Sequence, residues 1–178
     1  MLIPKYAYTD TEIKTLLKSI VLLIDTREQR NEHIINYFDK KKVKYKSKKL
    51  DYGDYGALLP VNNELGIMRD IVYPVVIERK NSIDELASTI KDRTRFENEL
   101  IRSQESNFLL LVEDHEGYEK LIKGDYRSQY QARALLGSLK TFETRYRFNT
   151  VFVSKMATGN FIYHHLFYFV REMLKGGN

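Results

Sequence analysis

The sequence predicts an α/β fold in which helices pack on both faces of a central sheet. Short apolar runs typical of buried strands, at residues 21–24 and 108–112, alternate with longer segments whose apolar residues recur at helical spacing. Both runs are followed directly by an acid, Asp25 and Glu113. Because functional groups in open sheets of this kind collect at strand ends, these acids point to a site at that edge of the sheet.

Two helices and four strands are predicted in the first half of the chain. Thr9 and Glu12 have the spacing of a capping box, which opens a short helix ending near Ser19. A second helix runs from Asn31 to about Lys41. The predicted strands span residues 21–24, 43–47, 55–59 and 71–78. The last two are expected to form a hairpin across the turn-rich segment 60–64.

The second half is predicted to contain four helices and two strands. The capping-box spacing at 82–85 opens one helix, and a second helix begins near Arg95 and is expected to bury Phe96, Leu100 and Ile101. Strands are predicted at 108–112 and 151–153, with a helix over about 130–146 between them. The final helix, 158–174, is apolar on nearly all sides, so it lies either deep in its own domain or in a subunit interface.

Length and composition indicate a single folded domain. The chain has 178 residues and no cysteine, which excludes disulfides, thiolate metal sites and a cysteine nucleophile. We expect one domain over 1–178, with an N-terminal helix in 1–20, a core over 21–155 and a C-terminal helix in 156–175. No signal peptide or membrane span is predicted, so a cytoplasmic location is expected.

The charge distribution gives a weak indication of a polyanionic partner. The 29 Lys and Arg residues exceed the 24 Asp and Glu residues, for a net charge of +5. Such basic residues form either a solvated face or a footprint for nucleic-acid phosphates. The candidates are Lys40, Lys41, Lys42, Lys44, Lys46, Lys48, Lys49, Arg127, Arg133, Lys140 and Arg147.

Three acids at strand boundaries could meet in one site. Asp25, Asp54 and Glu78 each lie beside a strand-like segment, and Glu78 is followed by Arg79 and Lys80. Clustered carboxylates hold Mg²⁺, which can acidify a water molecule for phosphodiester hydrolysis, and a nearby lysine can orient or deprotonate the nucleophile and stabilise the developing charge. Taken singly, each acid also has a structural explanation as a turn, strand-end or cap residue.

Taken together and in order, these motifs resemble the XPF-type nuclease family, the structure-specific endonuclease domain of excision repair and replication-fork processing. The family carries Gly-Asp, a variable gap, and then Glu-Arg-Lys followed after three residues by Asp. The corresponding residues here are Gly53-Asp54, Glu78-Arg79-Lys80 and Asp84, with an upstream Asp25-Thr26-Arg27-Glu28 and a downstream Arg95-Phe96. The resemblance covers at least residues 21–113.

The resemblance implies a restriction-endonuclease-like fold, a three-layer α/β/α sandwich with a central mixed sheet, that cuts branched DNA with Mg²⁺ or Mn²⁺. It implies that Asp54, Glu78 and the backbone carbonyl of Arg79 hold the metal. Asp25 would be a further metal or water ligand, and Lys80 would position the attacking water. The remaining expected roles are organisation of the site and support of the ligands, by Arg27, Glu28, Asp84 and Glu113, and DNA contact by Arg95 and the basic residues named above.

Further expectations concern partners and rival functions. A homodimer through the C-terminal helix is expected. The helix-hairpin-helix module that many relatives carry is not expected in this chain. If the protein is phage-encoded, it is expected in the host-cell cytoplasm. One alternative is a non-catalytic DNA-binding partner subunit, and another is a sequence-specific restriction-type enzyme. His164 and His165 point about 100° apart on a helix, which favours structural roles over metal binding.

Overall fold

A six-stranded mixed sheet forms the centre of the fold in the computed structural model, which describes residues 7–176. Its spatial order is β2-β1-β3-β4-β5-β6. β3 runs antiparallel to both of its neighbours, and every other pair of adjacent strands is parallel. The strands are β1 (Val21–Ile24), β2 (Tyr45–Ser47), β3 (Tyr55–Leu59), β4 (Ile71–Lys80), β5 (Asn107–Val112) and β6 (Asn149–Phe152).

Helices cover both faces of the sheet and create two separate cores. Helices α1, α2 and α7 pack on one face, and α3 to α6 pack on the other. Across the described residues the α-helices are α1 (Asp10–Leu17), α2 (Glu32–Lys41), α3 (Ile83–Lys91), α4 (Arg93–Arg102), α5 (Gly117–Lys123), α6 (Ala132–Tyr146) and α7 (Thr158–Leu174). The predicted layering of helices on both faces is therefore confirmed.

Alternation along β4 divides its side chains between the two cores. Val75 and Ile77 belong to the core under α1, α2 and α7, whereas Val76 belongs to the core under α3 to α6. Because successive strand residues point to opposite faces, Glu78 and Lys80 lie on the α3–α6 side and Arg79 lies on the other.

The two predicted capping boxes have different outcomes. In the first, Thr9 N donates to Glu12 Oε2 at 2.7 Å and Glu12 N donates to Thr9 Oγ1 at 3.3 Å, so the box is confirmed. In the second, Glu85 N donates to Ser82 Oγ at 3.2 Å, but the Glu85 carboxylate accepts from Asn81 N at 2.8 Å. The second box is therefore incomplete, because its acid binds one residue earlier in the chain.

Two expectations about helices were wrong or incomplete. Ile101 is 55% exposed, because Phe96 and Leu100 already occupy the inner face of α4. Helix α5 was not predicted, since Leu121 is its only buried residue with a large apolar side chain.

Helix α7 packs into its own domain through one face. Ile162, Leu166 and Val170 are fully buried, and the helix contacts α1, α2, β3 and β4. Its opposite side exposes Tyr168 and Met173 beside a groove of about 670 Å³. Dimerisation through this helix stays a prediction. No helix in residues 7–176 is long and apolar enough to cross a membrane.

Candidate active site

The ends of three strands meet around a polar cavity of about 480 Å³. The carboxyl ends of β1 and β4 lie beside the amino end of β3, where Asp25 N donates to Asp54 O at 2.8 Å and Asp54 N donates to Ile77 O at 2.9 Å. This edge brings together most of the site residues that were predicted from the sequence. The predicted site residues that line the cavity are Arg27, Glu28, Asp54, Glu78, Arg79, Lys80 and Arg95.

A glycine turn delivers Asp54 to the cavity. Gly53 has φ +70°, and a Cβ at this position would lie 2.1 Å from Val76 Cγ2, so both conformation and space require glycine. Asp54 Oδ2 then accepts a hydrogen bond from Arg79 N at 2.7 Å. The Gly-Asp pair therefore fixes one carboxylate against the end of β4.

Glu78 and Lys80 form an ion pair on the floor of the cavity. Lys80 Nζ lies 2.5 Å from Glu78 Oε1, and each side chain is only 10% exposed. Burial opposes the charged form of Lys80, but the adjacent Glu78 outweighs it and raises the lysine pKa. Lys80 is therefore a cation at neutral pH, which suits it to orient a water molecule or stabilise negative charge rather than accept a proton.

The carboxylates of the cavity repel one another. Burial, reinforced by the charge of Glu28, raises the pKa of Asp54 to about 7. Burial and the neighbouring Asp54 raise the pKa of Glu78 well above its usual value, and burial raises that of Glu28. Crowded oxygen donors of this kind fit a divalent cation, which would neutralise the charge that now opposes their ionisation.

Arg79 holds two acids on the face of β4 opposite to Glu78 and Lys80. Its guanidinium is buried and donates from Nε to Glu28 Oε1 at 3.0 Å and from Nη2 to Gln29 O at 2.8 Å. Its Nη1 lies 3.1 Å from Glu113 Oε1, which is also 2.7 Å from His33 Nε2. Glu28 and Glu113 thus brace the strand that carries Glu78. His33 belongs to the same cluster of charged side chains, and the sequence did not identify it.

Asp25 is adjacent to the cavity but turned away from it. Its Oδ1 accepts from Arg27 N at 2.8 Å and from Arg27 Nε at 2.7 Å, and its Oδ2 accepts from Leu50 N at 2.6 Å. Burial opposes ionisation, but these hydrogen bonds prevail and lower the Asp25 pKa. Asp25 therefore anchors Arg27 and the segment before β3.

The three carboxylates of the expected metal site do not converge. Within residues 7–176, no group of three acidic or histidine side chains is arranged to hold a metal ion. Asp54 and Glu78 face the cavity, whereas the oxygens of Asp25 are taken by hydrogen-bond donors. Direct metal binding by Asp25 stays a prediction, and it would require Asp25 to give up some of these donors.

Asp84 lies outside the cavity. Its carboxylate accepts from Arg127 N at 2.8 Å and forms an ion pair with Arg127 Nε at 3.0 Å. It therefore connects the start of α3 to the segment before α6, and Arg127 is committed to this contact. Within residues 7–176, Asp84 makes no hydrogen bond or ion pair to the expected metal ligands, so its supporting role stays a prediction.

The predicted DNA-binding residues occupy two different surfaces. The seven lysines between 40 and 49 are exposed on the end of α2, on its connection to β2, on β2 and on the segment after it. Lys48 and Lys49 line a smaller cavity that shares Asp51 and Tyr52 with the candidate active site. Arg133 and Lys140 are exposed on α6 in the opposite helical layer, where Lys140 Nζ lies 2.7 Å from Glu143 Oε2. Their contact with DNA stays a prediction.

Helix α4 contributes a charged face to the cavity that the sequence interpretation recognised only in part. Arg95, Glu99 and Arg102 all line the cavity, and their i, i+4, i+7 spacing was the signal that could have identified the whole set. Glu99 Oε1 also accepts a hydrogen bond from Gly53 N at 3.2 Å.

Two other cavity residues gave weaker signals. Arg30 follows the Asp-x-Arg-Glu motif by two positions and has φ +54°, an uncommon conformation for a residue other than glycine. The sequence indicates only a helix-capping role for Glu85, which also lines the cavity. Both are visible as site residues only once the loops are placed.

We expect Asp54→Asn to stabilise the metal-free protein near pH 8 but not near pH 4. The Asp54 pKa is about 7 in the folded protein against an ordinary value of 3.8, so between these values the unfolded chain releases a proton that the folded protein keeps. The cost to stability grows as the pH rises and is complete above about pH 7. Thermal melts in EDTA at both pH values test this, and an equal effect at the two would contradict it.

Comparison with known proteins agrees with the motif interpretation. A family model described as "ERCC4 domain" matches residues 24–165, about four fifths of the chain. The structure is similar to XPF from Aeropyrum pernix, with a TM-score of 0.59, 19% identity and 86% of this chain covered. A second structure of that protein, in complex with DNA, matches with the same TM-score and coverage and 20% identity. No curated protein sequence shows significant similarity.

The match covers 66% of the Aeropyrum protein, so this chain spans slightly less than two thirds of its length. The likeness confirms the α/β/α fold with a mixed central sheet, of the restriction-endonuclease-like kind expected from the motifs. The extent of the family match, together with the ordered motifs, shows that the chain belongs to the family of XPF-type ERCC4 nuclease domains.

Proposed function

We propose that this chain is a metal-dependent DNA endonuclease that hydrolyses phosphodiester bonds in branched DNA during repair or recombination. The observation that carries the proposal is the floor of the cavity, where Asp54, Glu78 and Lys80 are held together at the ends of adjacent strands. Membership of a nuclease domain family supports the same reading.

The donor set assigns distinct tasks to the residues of the cavity. Asp54 and Glu78, with the carbonyl of Arg79, would hold Mg²⁺ or Mn²⁺. When bound, the ion supplies an acidified water and neutralises charge on the leaving oxygen. Lys80 stays protonated and orients the nucleophile toward the phosphorus, while the buried Arg79 keeps Glu28 and the end of β4 in place.

Arginines at the rim suit the cavity to a phosphate backbone. Arg30, Arg95 and Arg102 are exposed, and none of them forms an ion pair or side-chain hydrogen bond within residues 7–176. Arginine donors bind phosphate oxygens in a fixed planar geometry. The lysine run on α2 and β2 extends this positive surface beyond the cavity, and a homodimer through α7 would present two such surfaces.

Cleavage of labelled DNA tests the proposal. We expect Mg²⁺- or Mn²⁺-dependent cutting of a 3′-flap, a fork or a four-way junction, with little cutting of plain duplex and none in EDTA. Binding without cleavage under every metal condition would favour the non-catalytic partner subunit. Cutting at fixed positions in linear duplex would favour the restriction-type enzyme.

A further inference from the structure

A second cavity, of about 270 Å³, adjoins the candidate active site. Asp51 and Tyr52 line both cavities, which places the two cavities side by side. The second cavity lies on the face of the sheet that α3 to α6 cover only in part, and Gly56 and Val76 contribute to its floor. It is smaller than the roughly 300–1,000 Å³ pockets that hold drug-sized ligands, and its size suits one flat ring system.

Gly56 leaves part of the cavity floor without a side chain. A Cβ on Gly56 would meet Val75 O at 3.6 Å, Leu23 Cβ at 3.9 Å and Leu50 Cδ1 at 4.0 Å, which are ordinary van der Waals contacts. Its φ lies outside the range that disfavours other residues. Neither backbone conformation nor close packing therefore requires glycine here, in contrast to Gly53.

The walls of this cavity are fixed in position. The segment over it is tied to the sheet where Lys48 N donates to Ile24 O at 2.9 Å and Leu50 N donates to Asp25 Oδ2 at 2.6 Å. The Tyr52 hydroxyl lies 2.7 Å from Ser106 Oγ, which orients the tyrosine ring. The cavity is thus preformed.

Charges at its rim match a nucleotide. Lys48 and Lys49 are exposed, and neither side chain has an ion-pair partner among residues 7–176. Free lysine cations of this kind attract phosphates, and Asp51, which also lines the cavity, carries a carboxylate of the type that accepts from the exocyclic amino group of a base. An apolar floor, an oriented aromatic ring and cations at the opening together suit a base attached to its backbone.

We propose that this cavity receives the base of an unpaired nucleotide next to the phosphodiester that is cut. The proposal rests on the proposed nuclease function and deepens it, because a base that is stacked and paired in a duplex cannot enter without leaving the helix. The cavity would therefore favour DNA with a single-stranded branch beside the cleavage position.

The test measures binding of flap DNA by fluorescence anisotropy in Ca²⁺, with one abasic nucleotide placed in turn at each unpaired position near the junction. At one position we expect the abasic substitution to weaken binding by about fivefold or more. Gly56→Val, which fills the cavity, should bind intact flap more weakly and should respond much less to that abasic site. Gly56→Ala should give an intermediate response.

Gly137→Val is the matched control, because a Cβ at Gly137 on the exposed side of α6 meets nothing within 4 Å. It should keep the full wild-type response, and thermal melts establish that each variant is folded. The inference is overturned if no abasic position weakens wild-type binding, or if Gly56→Val and Gly56→Ala both keep the full response. If the wild-type protein shows the position-specific loss of binding to abasic DNA but cleaves no DNA, the proposed nuclease function is wrong and the base-binding cavity stands.

Discussion

Asp54→Asn and Glu78→Gln are each expected to reduce metal-dependent cleavage of branched DNA by at least about a hundredfold. Both substitutions keep the size of the side chain and remove a carboxylate from the cavity floor. DNA affinity should stay the same or increase, because neither acid attracts phosphate. Single-turnover cleavage in Mg²⁺ and binding in Ca²⁺ measure the two quantities separately.

Glu119→Gln provides the matched control. Glu119 is 63% exposed on α5, where it lies 3.7 Å from Lys123 in a surface ion pair, so its loss should leave cleavage unchanged. Full Mg²⁺-dependent activity in either cavity variant would show that the assignment of metal ligands is wrong.

Arg79→Met is expected to lower the free energy of unfolding by about 3–5 kcal/mol. The guanidinium is 3% exposed and pairs with Glu28 and Glu113, whose side chains are 6% and 2% exposed. Removing it leaves the buried Glu28 without its cation and leaves Glu113 with only His33 beside it among residues 7–176. Chemical denaturation followed by circular dichroism measures the change.

Arg171→Met tests whether the large destabilisation expected for Arg79→Met comes from the burial of its ion pairs. Arg171 pairs with its neighbour Glu172 on the surface of α7, and its guanidinium lies 5.7 Å from the centre of the Tyr168 ring. Because both contacts are at the surface, its replacement should change the free energy of unfolding by less than about 1 kcal/mol. Adding Glu28→Gln to Arg79→Met should recover part of the loss, because one buried charge is removed. A loss below about 1 kcal/mol for Arg79→Met alone would contradict the predicted effect.

Local sequence was sufficient to predict most strands and the edge of the sheet where the acids gather. Val21–Ile24 forms β1 as expected, because a short apolar run that ends at an acid, Asp25, can be buried on both faces of a sheet. The motif order was equally informative, since Gly53-Asp54 and the end of β4 must meet once β3 and β4 pair. The strand β1 depends only on residues adjacent in sequence, and the meeting of Gly53-Asp54 with β4 depends on a single pair of strands.

What the sequence could not provide was the choice of partner for each charged group. Asp25 is held by Arg27 and by the amide of Leu50, which is distant along the chain. The contribution of Glu99 depends on where α4 crosses the Gly53 turn. Such contacts depend on the placement of loops and helices over the sheet, and residue spacing within one segment does not encode that placement.

The alternation of side chains along β4 restricts where this domain can vary in length. A single residue inserted or deleted between Ile77 and Lys80, beyond the irregular pairing at 72–76, would exchange the faces of Arg79 and its two charged neighbours. The cation that braces Glu28 and Glu113 would then lie on the α3–α6 side, and Glu78 and Lys80 would lie on the opposite side. The connection over residues 60–70 has no such requirement, because it lies outside the paired register of β3 and β4. Length differences between relatives should therefore accumulate in that connection. Within it, the exposed Met68 marks a better place for a tag or reporter than Ile67, which is buried in the core.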